Sequence, residues 1–433
     1  MVTEQADQVP LRAPTTAGRP MNLKLDWRVS SHARRLLYLA LASLALAVVT
    51  RRPEFVALAA PALALLSARR PSRPQSAQLE LRPSASRVFE GEQIALDVTV
   101  IGQGDHEVEL LLHPSVGARV VRGGDRAAFG TATLAYELTL WGRRSPGMLE
   151  VALWDRYRMF ECRNFARLPE VVCFPVPAQH RRAVVLGRTA NRSGDHPARS
   201  SGEGAEFAGV REYVAGDRQR SINWAATTRR GRLQVNSFGA ERSQDVVLLV
   251  DITSDAGELG STPVDHALRG ALGVGRTYLE ARDRVGLVLV GGWGGWLAPG
   301  LGRRQLFRMM EAMADSRVGW AAGKEVSRLP RAALPPGASV IAFSPLLEMT
   351  FVETLRDLRQ RSFSVIVVDV LNVEPTVARG KIGRLAKRVW RIERQALMFS
   401  LRELGITVVG WDGKDELSVP LRPRSRTVAG SRR

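Results

Sequence analysis

The sequence predicts an α+β multidomain protein: a transmembrane hairpin, a β-sandwich, and then a doubly wound α/β domain. Three observations carry that expectation. Two charge-free apolar segments lie close together at 36–49 and 55–68. Short alternating strands separated by glycine-rich turns fill 78–175. From 246 onward, buried-type strands alternate with helical stretches. At 433 residues the chain is too long for a single core and should divide into two or three domains. The boundaries read as a disordered basic N-terminus (1–33), two transmembrane segments (34–70), a β-sandwich (77–178), a polar linker (183–206), a motif-bearing α/β domain (207–420) and a basic tail (421–433).

Each apolar segment runs for about 14 residues, or about 21 Å as a helix, against a hydrocarbon core of about 30 Å. Flanking arginines that snorkel to the headgroups and local bilayer thinning offset that shortfall. Lys24, Arg28, Arg34 and Arg35 precede the first segment, and Arg69, Arg70 and Arg73 follow the second. Basic residues at both ends place the termini and the bulk of the chain in the cytoplasm, with the protein multi-pass in the inner or plasma membrane. A second apolar segment directly after the first argues against a cleaved signal peptide.

The formal charge is +19. Residues 1–76 hold 11 Lys and Arg against 4 acidic residues, and residues 379–433 hold 14 against 5, which leaves only +3 for the 302 residues between. The excess flanks the apolar segments and the C-terminal end, a pattern suited to the bilayer surface rather than to nucleic acid. The two cysteines, Cys162 and Cys173, are too few for a disulfide-built domain and read as buried and reduced.

Strands at 77–81, 94–101, 108–112 and 136–141 with short turns suggest an immunoglobulin-like sandwich. In the α/β region, helices are expected at 264–281, 305–313, 351–360 and 384–404, and strands at 246–250, 284–290, 339–343, 363–370 and 406–411. Gly270, Gly273 and Gly275 imitate a dinucleotide fingerprint but fall inside a helix, so they read as packing positions. The helix from Arg384 carries Ile382, Leu385, Val389 and Ile392 on one face and several Lys and Arg outside it. Packing of that face on the sheet, with the basic face in solvent, is the plain reading; binding to anionic lipid is the other.

The densest signal lies at 207–251. Arg211, Glu212, Asp217, Arg220 and Asn223 alternate there with Tyr213, Ile222, Trp224 and Leu233. Gly216-Asp217 reads as a turn, with Asp217 capping a short helix. The polar members are expected to form a hydrogen-bonded network that docks the segment on the α/β sheet. The combination Arg211-Glu212-Tyr213, Gly216-Asp217, Arg220, Ile222-Asn223-Trp224, Gly231, Leu233 and the strand ending in Asp251 resembles the core signature of the bacterial family called domain of unknown function 58. The turn Asp155-Arg-Tyr-Arg-Met-Phe160 corresponds to a D-P-x-G-L-F-like turn in similar proteins, with the proline and glycine replaced.

The resemblance implies a von Willebrand factor A-like α/β domain, a membrane anchor, and partnership with an AAA+ ATPase of the MoxR type. It implies no catalytic residues and no cofactor. Von Willebrand A domains hold a divalent cation at the first strand end, where Asp251, Thr253 and Asp255 stand here. Ser344-Pro345 and Gly291–Trp296 replace the acidic and threonine loops that would complete the set, so the site is expected to be degenerate and any Mg²⁺ shallow. The expected function is a membrane-anchored adaptor that presents clients to the ATPase. A metal-dependent hydrolase or nuclease on the same sheet, and a cell-envelope adhesion protein, are the alternatives.

Overall fold

The computed structural model describes residues 20–67, 74–103, 106–128, 130–180, 206–215, 217–239, 244–253, 257–291, 295–316, 331–371, 374–377, 379–413 and 415–417. The expected linker 183–206, apart from Glu206, and the expected tail 421–433 lie outside these residues, as do Gly216, Asp255 and Trp293.

The chain enters through two short strands, β1 (Met21–Lys24) and β2 (Arg28–Val29). This corrects the expectation of disorder through residue 33: β1 pairs with β3 and β2 with β12, so residues 21–29 stitch into both sheets of the β-rich part. Helix α1 (Ser31–Thr50) starts at once, with the Ser30 hydroxyl accepting from the Ala33 N–H as N-cap. Its 20 residues span about 30 Å, not the 21 Å expected from the apolar run alone. By length and composition it is the one helix among the described residues able to cross a bilayer. Helix α2 (Glu54–Ser67) has 14 residues and an internal Pro61, and it packs back on α1 through Ala40, Ala59 and Ala62.

The strands that follow are β3 (Ser76–Pro83), β4 (Arg87–Phe89), β5 (Gln93–Ile101), β6 (His106–Pro114), β7 (Ala118–Arg122), β8 (Gly124–Ala128), β9 (Gly130–Leu138), β10 (Gly142–Arg144), β11 (Gly147–Asp155), β12 (Phe160–Arg167) and β13 (Val171–Phe174). Two five-stranded antiparallel sheets, β1-β3-β5-β9-β7 and β2-β12-β11-β6-β8, enclose one core, and β10-β13-β4 closes one end. Alternation explains the pairing: Ile94, Leu96, Val98 and Val100 of β5 point inward, as do Val108, Leu110 and Leu112 of β6. Cys162 and Cys173 are both free and buried in this core.

The two poles of this layered body have different neighbours. At one pole, the turn from Asp155 to Phe160 receives the base of α1. Ser30 donates from its backbone N–H to the Met159 carbonyl and from its hydroxyl to the Arg158 carbonyl. Arg158 stands at φ +54°, in the left-handed region, where the similar turn carries glycine. Its guanidinium makes a two-pronged pair with Glu107 and lies over the Trp154 ring. These contacts hold a conformation that costs an L-residue about 1 kcal/mol.

The opposite pole meets the α/β part. After β14 (Glu206–Glu212), α3 (Trp224–Arg230) and β15 (Gln234–Gly239) come β16 (Asp245–Asp251), α4 (Pro263–Glu280), β17 (Arg284–Val290), β18 (Trp296–Gly300), α5 (Gly302–Ser316), β19 (Ser339–Ser344), α6 (Met349–Gln360), β20 (Ser364–Asp369), α7 (Lys381–Glu403) and β21 (Thr407–Gly410). The sheet order is β18-β17-β16-β19-β20-β21, parallel except for the hairpin partner β18. Helices α4 and α5 cover one face, over Leu248, Val250, Ile341 and Phe343. Helices α6 and α7 cover the other, over Val247, Leu249, Val340 and Ala342.

The β-rich body docks on the outer side of α4 and α5. Trp141 Nε1 donates to Asp265 at 2.6 Å, inside the Thr262–Asp265 capping box. Arg269 grips Glu90 with two bonds of 2.9 and 2.8 Å, and Thr277 donates to the His180 carbonyl. Gly273 permits the approach, since a Cβ there would stand 2.2 Å from the Ala178 carbonyl oxygen. The order of layers is therefore α1–α2, the β-rich body, α4–α5, the sheet, and α6–α7.

Candidate functional site

The carboxyl ends of the parallel strands gather three loops around Asp251. Its carboxyl group is fully buried at the end of β16, the central strand. One oxygen accepts from the Thr253 N–H at 3.1 Å and the Thr253 hydroxyl at 2.5 Å. The other accepts from Ser344 Oγ at 2.6 Å, and Ser344 Oγ in turn accepts from the Leu346 N–H at 2.9 Å. Gly291, just past β17, packs against the Thr253 backbone: it has φ +111°, and a Cβ there would stand 2.8 Å from the Thr253 nitrogen. Only glycine suits both that backbone and that approach.

Burial pushes the Asp251 pKa above the ordinary carboxylate value, and the Ser344 and Thr253 hydrogen bonds oppose that rise without cancelling it. Asp251, Thr253 and Ser344 are hard oxygen donors of the kind Mg²⁺ accepts. Both Asp251 oxygens are already engaged by hydroxyls, however, and among the described residues no group of three His, Cys, Asp or Glu side chains is placed to hold a metal ion. Ser344 stands at the third-loop position, where the sequence offered it as a replacement for an acidic residue and not as a member of the oxygen set. It is 93 positions from Asp251, and only the parallel pairing of β16 with β19 brings them together.

A second carboxylate stands at the same edge. Asp369, the last residue of β20, accepts from Arg394 Nη2 at 2.5 Å, while Arg394 Nη1 donates to the Pro345 carbonyl at 2.9 Å. Burial raises the Asp369 pKa and the Arg394 charge opposes it. Exposed Leu347 and Met349 edge this rim, and Trp296 stands half-exposed on β18.

The signature segment forms a unit of its own. β14 and β15 pair antiparallel, and the chain between them turns through Gln219–Ser221 into α3. Asp217 does not cap that helix. It lies against Arg211 with bonds of 2.7 and 2.6 Å and accepts from the Val214 N–H at 2.9 Å. The Arg211 hydrogen bonds, then the Val214 N–H, hold its pKa down to about 2. The cap is Asn223, whose side-chain oxygen accepts from the Ala226 N–H at 3.0 Å while its amide donates to Asn236 at 2.8 Å. A free guanidinium six residues away outcompetes the helix N-terminus for Asp217, because the charge-assisted two-pronged bond is the stronger interaction.

Glu212 pairs with Arg232, and the Tyr213 N–H donates to the Leu233 carbonyl. Arg220 lies in the 3-10 turn Gln219–Ser221. Trp224, expected as an apolar anchor, is 67% exposed, and Val214 and Leu233 of the same segment are exposed as well. Among the described residues, these bonds join Arg211 to Asp217 and Asn223 to Asn236.

Residues 209–381 match the family described as "Protein of unknown function DUF58". This segment belongs to that family. No curated protein and no solved structure matches the chain. The matched range takes in the signature unit and the strand-end loops of Asp251 and Ser344, and it ends where α7 begins.

Proposed function

We propose that the protein is a membrane-anchored adaptor that binds an AAA+ ATPase of the MoxR type and its client proteins during assembly or maturation of protein complexes. In this reading α1 and α2 insert together as a hairpin and leave both termini in the cytoplasm. The β-rich body is an immunoglobulin-like spacer, and the α/β part is a von Willebrand A-like binding module with a degenerate cation site.

The observation that carries the reading is the state of Asp251. A fully buried carboxyl group with both oxygens accepting from hydroxyls holds the loops after β16 and β19 in register. The rim those loops present is apolar, with Leu347 and Met349 exposed. A rigid, partly apolar loop cluster at the carboxyl edge of a parallel sheet is where α/β domains engage ligands.

The test is capture of the cognate MoxR-type ATPase by the full-length protein in nanodiscs, with wild type, Leu347→Asp, Trp296→Ala and Asp251→Ala compared across nucleotide states. The reading expects capture by wild type and loss with Leu347→Asp. Equal capture by every variant removes this edge as the interface, and no capture in any nucleotide state removes the adaptor.

A further inference from the structure

Helix α7 has a second apolar face that its own domain does not cover. At about 100° per residue, Ile382, Leu385, Val389, Ile392 and Phe399 fall within one sector about 100° wide. Gly383, Leu397 and Leu401, which meet the protein body, lie on the roughly opposite side. Ile382 is 86% exposed, Leu385 63%, Ile392 56% and Phe399 64%. The sequence expectation placed this stripe against the sheet; the structure turns it outward.

The helix is also longer than the sheet it crosses. Arg394 bonds to Asp369 and to the Pro345 carbonyl, so α7 passes the strand ends within about one turn of that residue. The residues before it, from Lys381, extend about 19 Å past the sheet. Lys387 and Arg391 pair with Glu374 and hold this overhang to its preceding loop. Lys381, Arg384 and Arg388 edge the apolar stripe on one side, and among the described residues none of the three makes an ion pair.

The layer order decides what covers the stripe. Helix α7 lies on the far face of the sheet from the β-rich body, and α1 leaves that body at its other pole. Strand β11 alone separates the two poles by about 27 Å. The bilayer that holds α1 is therefore on the opposite side of the molecule. A second copy docked by a two-fold axis through α7 would carry its own anchor away from that membrane.

We propose that the outward face of α7 is a docking surface for a soluble partner protein, one that presents an apolar groove or helix edged by carboxylates. The inference rests on α1 as the membrane anchor but not on the identity of any ATPase. The stripe supplies the apolar contact and Lys381, Arg384 and Arg388 select an acidic rim.

The experiment uses the full-length protein in neutral-lipid nanodiscs and a fluorescein-labelled helical peptide whose leucine stripe is edged by glutamates, beside an analogue edged by lysines. Fluorescence anisotropy should show binding of the acidic peptide, at least about tenfold weaker for Leu385→Asp. The double variant Arg384→Glu, Arg388→Glu should reverse the preference toward the lysine analogue. Equal binding of both peptides, no binding, or indifference to Leu385→Asp overturns the proposal. Two further readings also overturn it: a concentration-dependent dimer lost in Leu385→Asp, and quenching of a fluorophore on Leu385→Cys by spin-labelled lipid. A probe on Leu46→Cys, quenched by the same lipid, reports separately whether α1 is inserted. If the ATPase still binds Leu385→Asp while the peptide assay fails, the adaptor reading stands and this one falls.

Discussion

Removing the Arg269 side chain should loosen the two large units from each other. Its guanidinium donates twice to Glu90 and once to the Gly260 carbonyl, with side chains 22% and 7% exposed in the pair. Arg269→Ala leaves Glu90 buried at the junction with, among the described residues, the Val176 N–H at 3.2 Å as its remaining partner. Breaking a buried pair from one side costs about 3–5 kcal/mol, and the part-exposed Arg end places this case near the lower limit, about 3 kcal/mol. At about 2–4 °C per kcal/mol for a domain of this size, the melting temperature should fall by about 6–12 °C. Arg143→Ala is the control: its pair with Asp315 is roughly half exposed, worth about 0–1 kcal/mol, and should move the melting point by no more than about 4 °C. The assay is near-ultraviolet circular dichroism of the full-length protein in detergent, followed by limited proteolysis across 175–210. Equal shifts for the two variants would show that the Arg269–Glu90 contact does not fix the layer order.

Asp251 and Asp217 should respond to pH with opposite sign. The raised Asp251 pKa means that its ionisation opposes folding, so its contribution weakens as pH rises from the unfolded value near 3.8 through the folded one. Asp251→Asn should therefore melt close to wild type at neutral pH, and a loss as large as that of Asp251→Ala would mean that the charge itself is needed. The lowered Asp217 pKa gives a contribution that is complete above 3.8 and lost as pH falls toward about 2. Asp217→Asn should flatten that acid limb in a pH series of melting curves. Arg158→Gly should be close to neutral in stability, within about 1 kcal/mol, because relief of a left-handed backbone offsets an exposed ion pair; a loss above about 2 kcal/mol would assign Arg158 a larger part in seating α1. The full-length protein should resist carbonate extraction from membranes, and its appearance in the soluble fraction would remove α1 as an anchor.

Where a segment's fate depends on its own pattern, the sequence reveals it. The unbroken apolar run of β16, the 3.6-residue repeats of α4 and α6, and the alternation in β5 each specify an element whatever surrounds it. Glycines 270, 273 and 275 likewise read as packing positions and serve as such. Residues 21–29 were illegible because strands of four and two residues carry too few positions to show a period, and only their partners β3 and β12 make them strands. Asp217 was misassigned because a Gly-Asp turn signal is local, whereas the competing Arg211 sits on the neighbouring strand. Ser344 was legible as a residue of the third strand-end loop but not as the partner of Asp251, because a hydroxyl has no distinctive spacing and the bond follows from strand order. The α7 stripe was legible as a face, but which of two faces meets the sheet depends on where the helix docks, which no periodicity encodes.

The most direct measurement is hydrogen exchange of the full-length protein in nanodiscs, with and without the MoxR-type ATPase. The account predicts slowed exchange on binding at 251–253, 290–291 and 344–351, together with 382–392 if the ATPase itself takes the α7 face. Exchange at β3 to β12 and in the Ser30–Phe160 junction should not change. Protection confined to the β-rich body, or no protection anywhere, would contradict it.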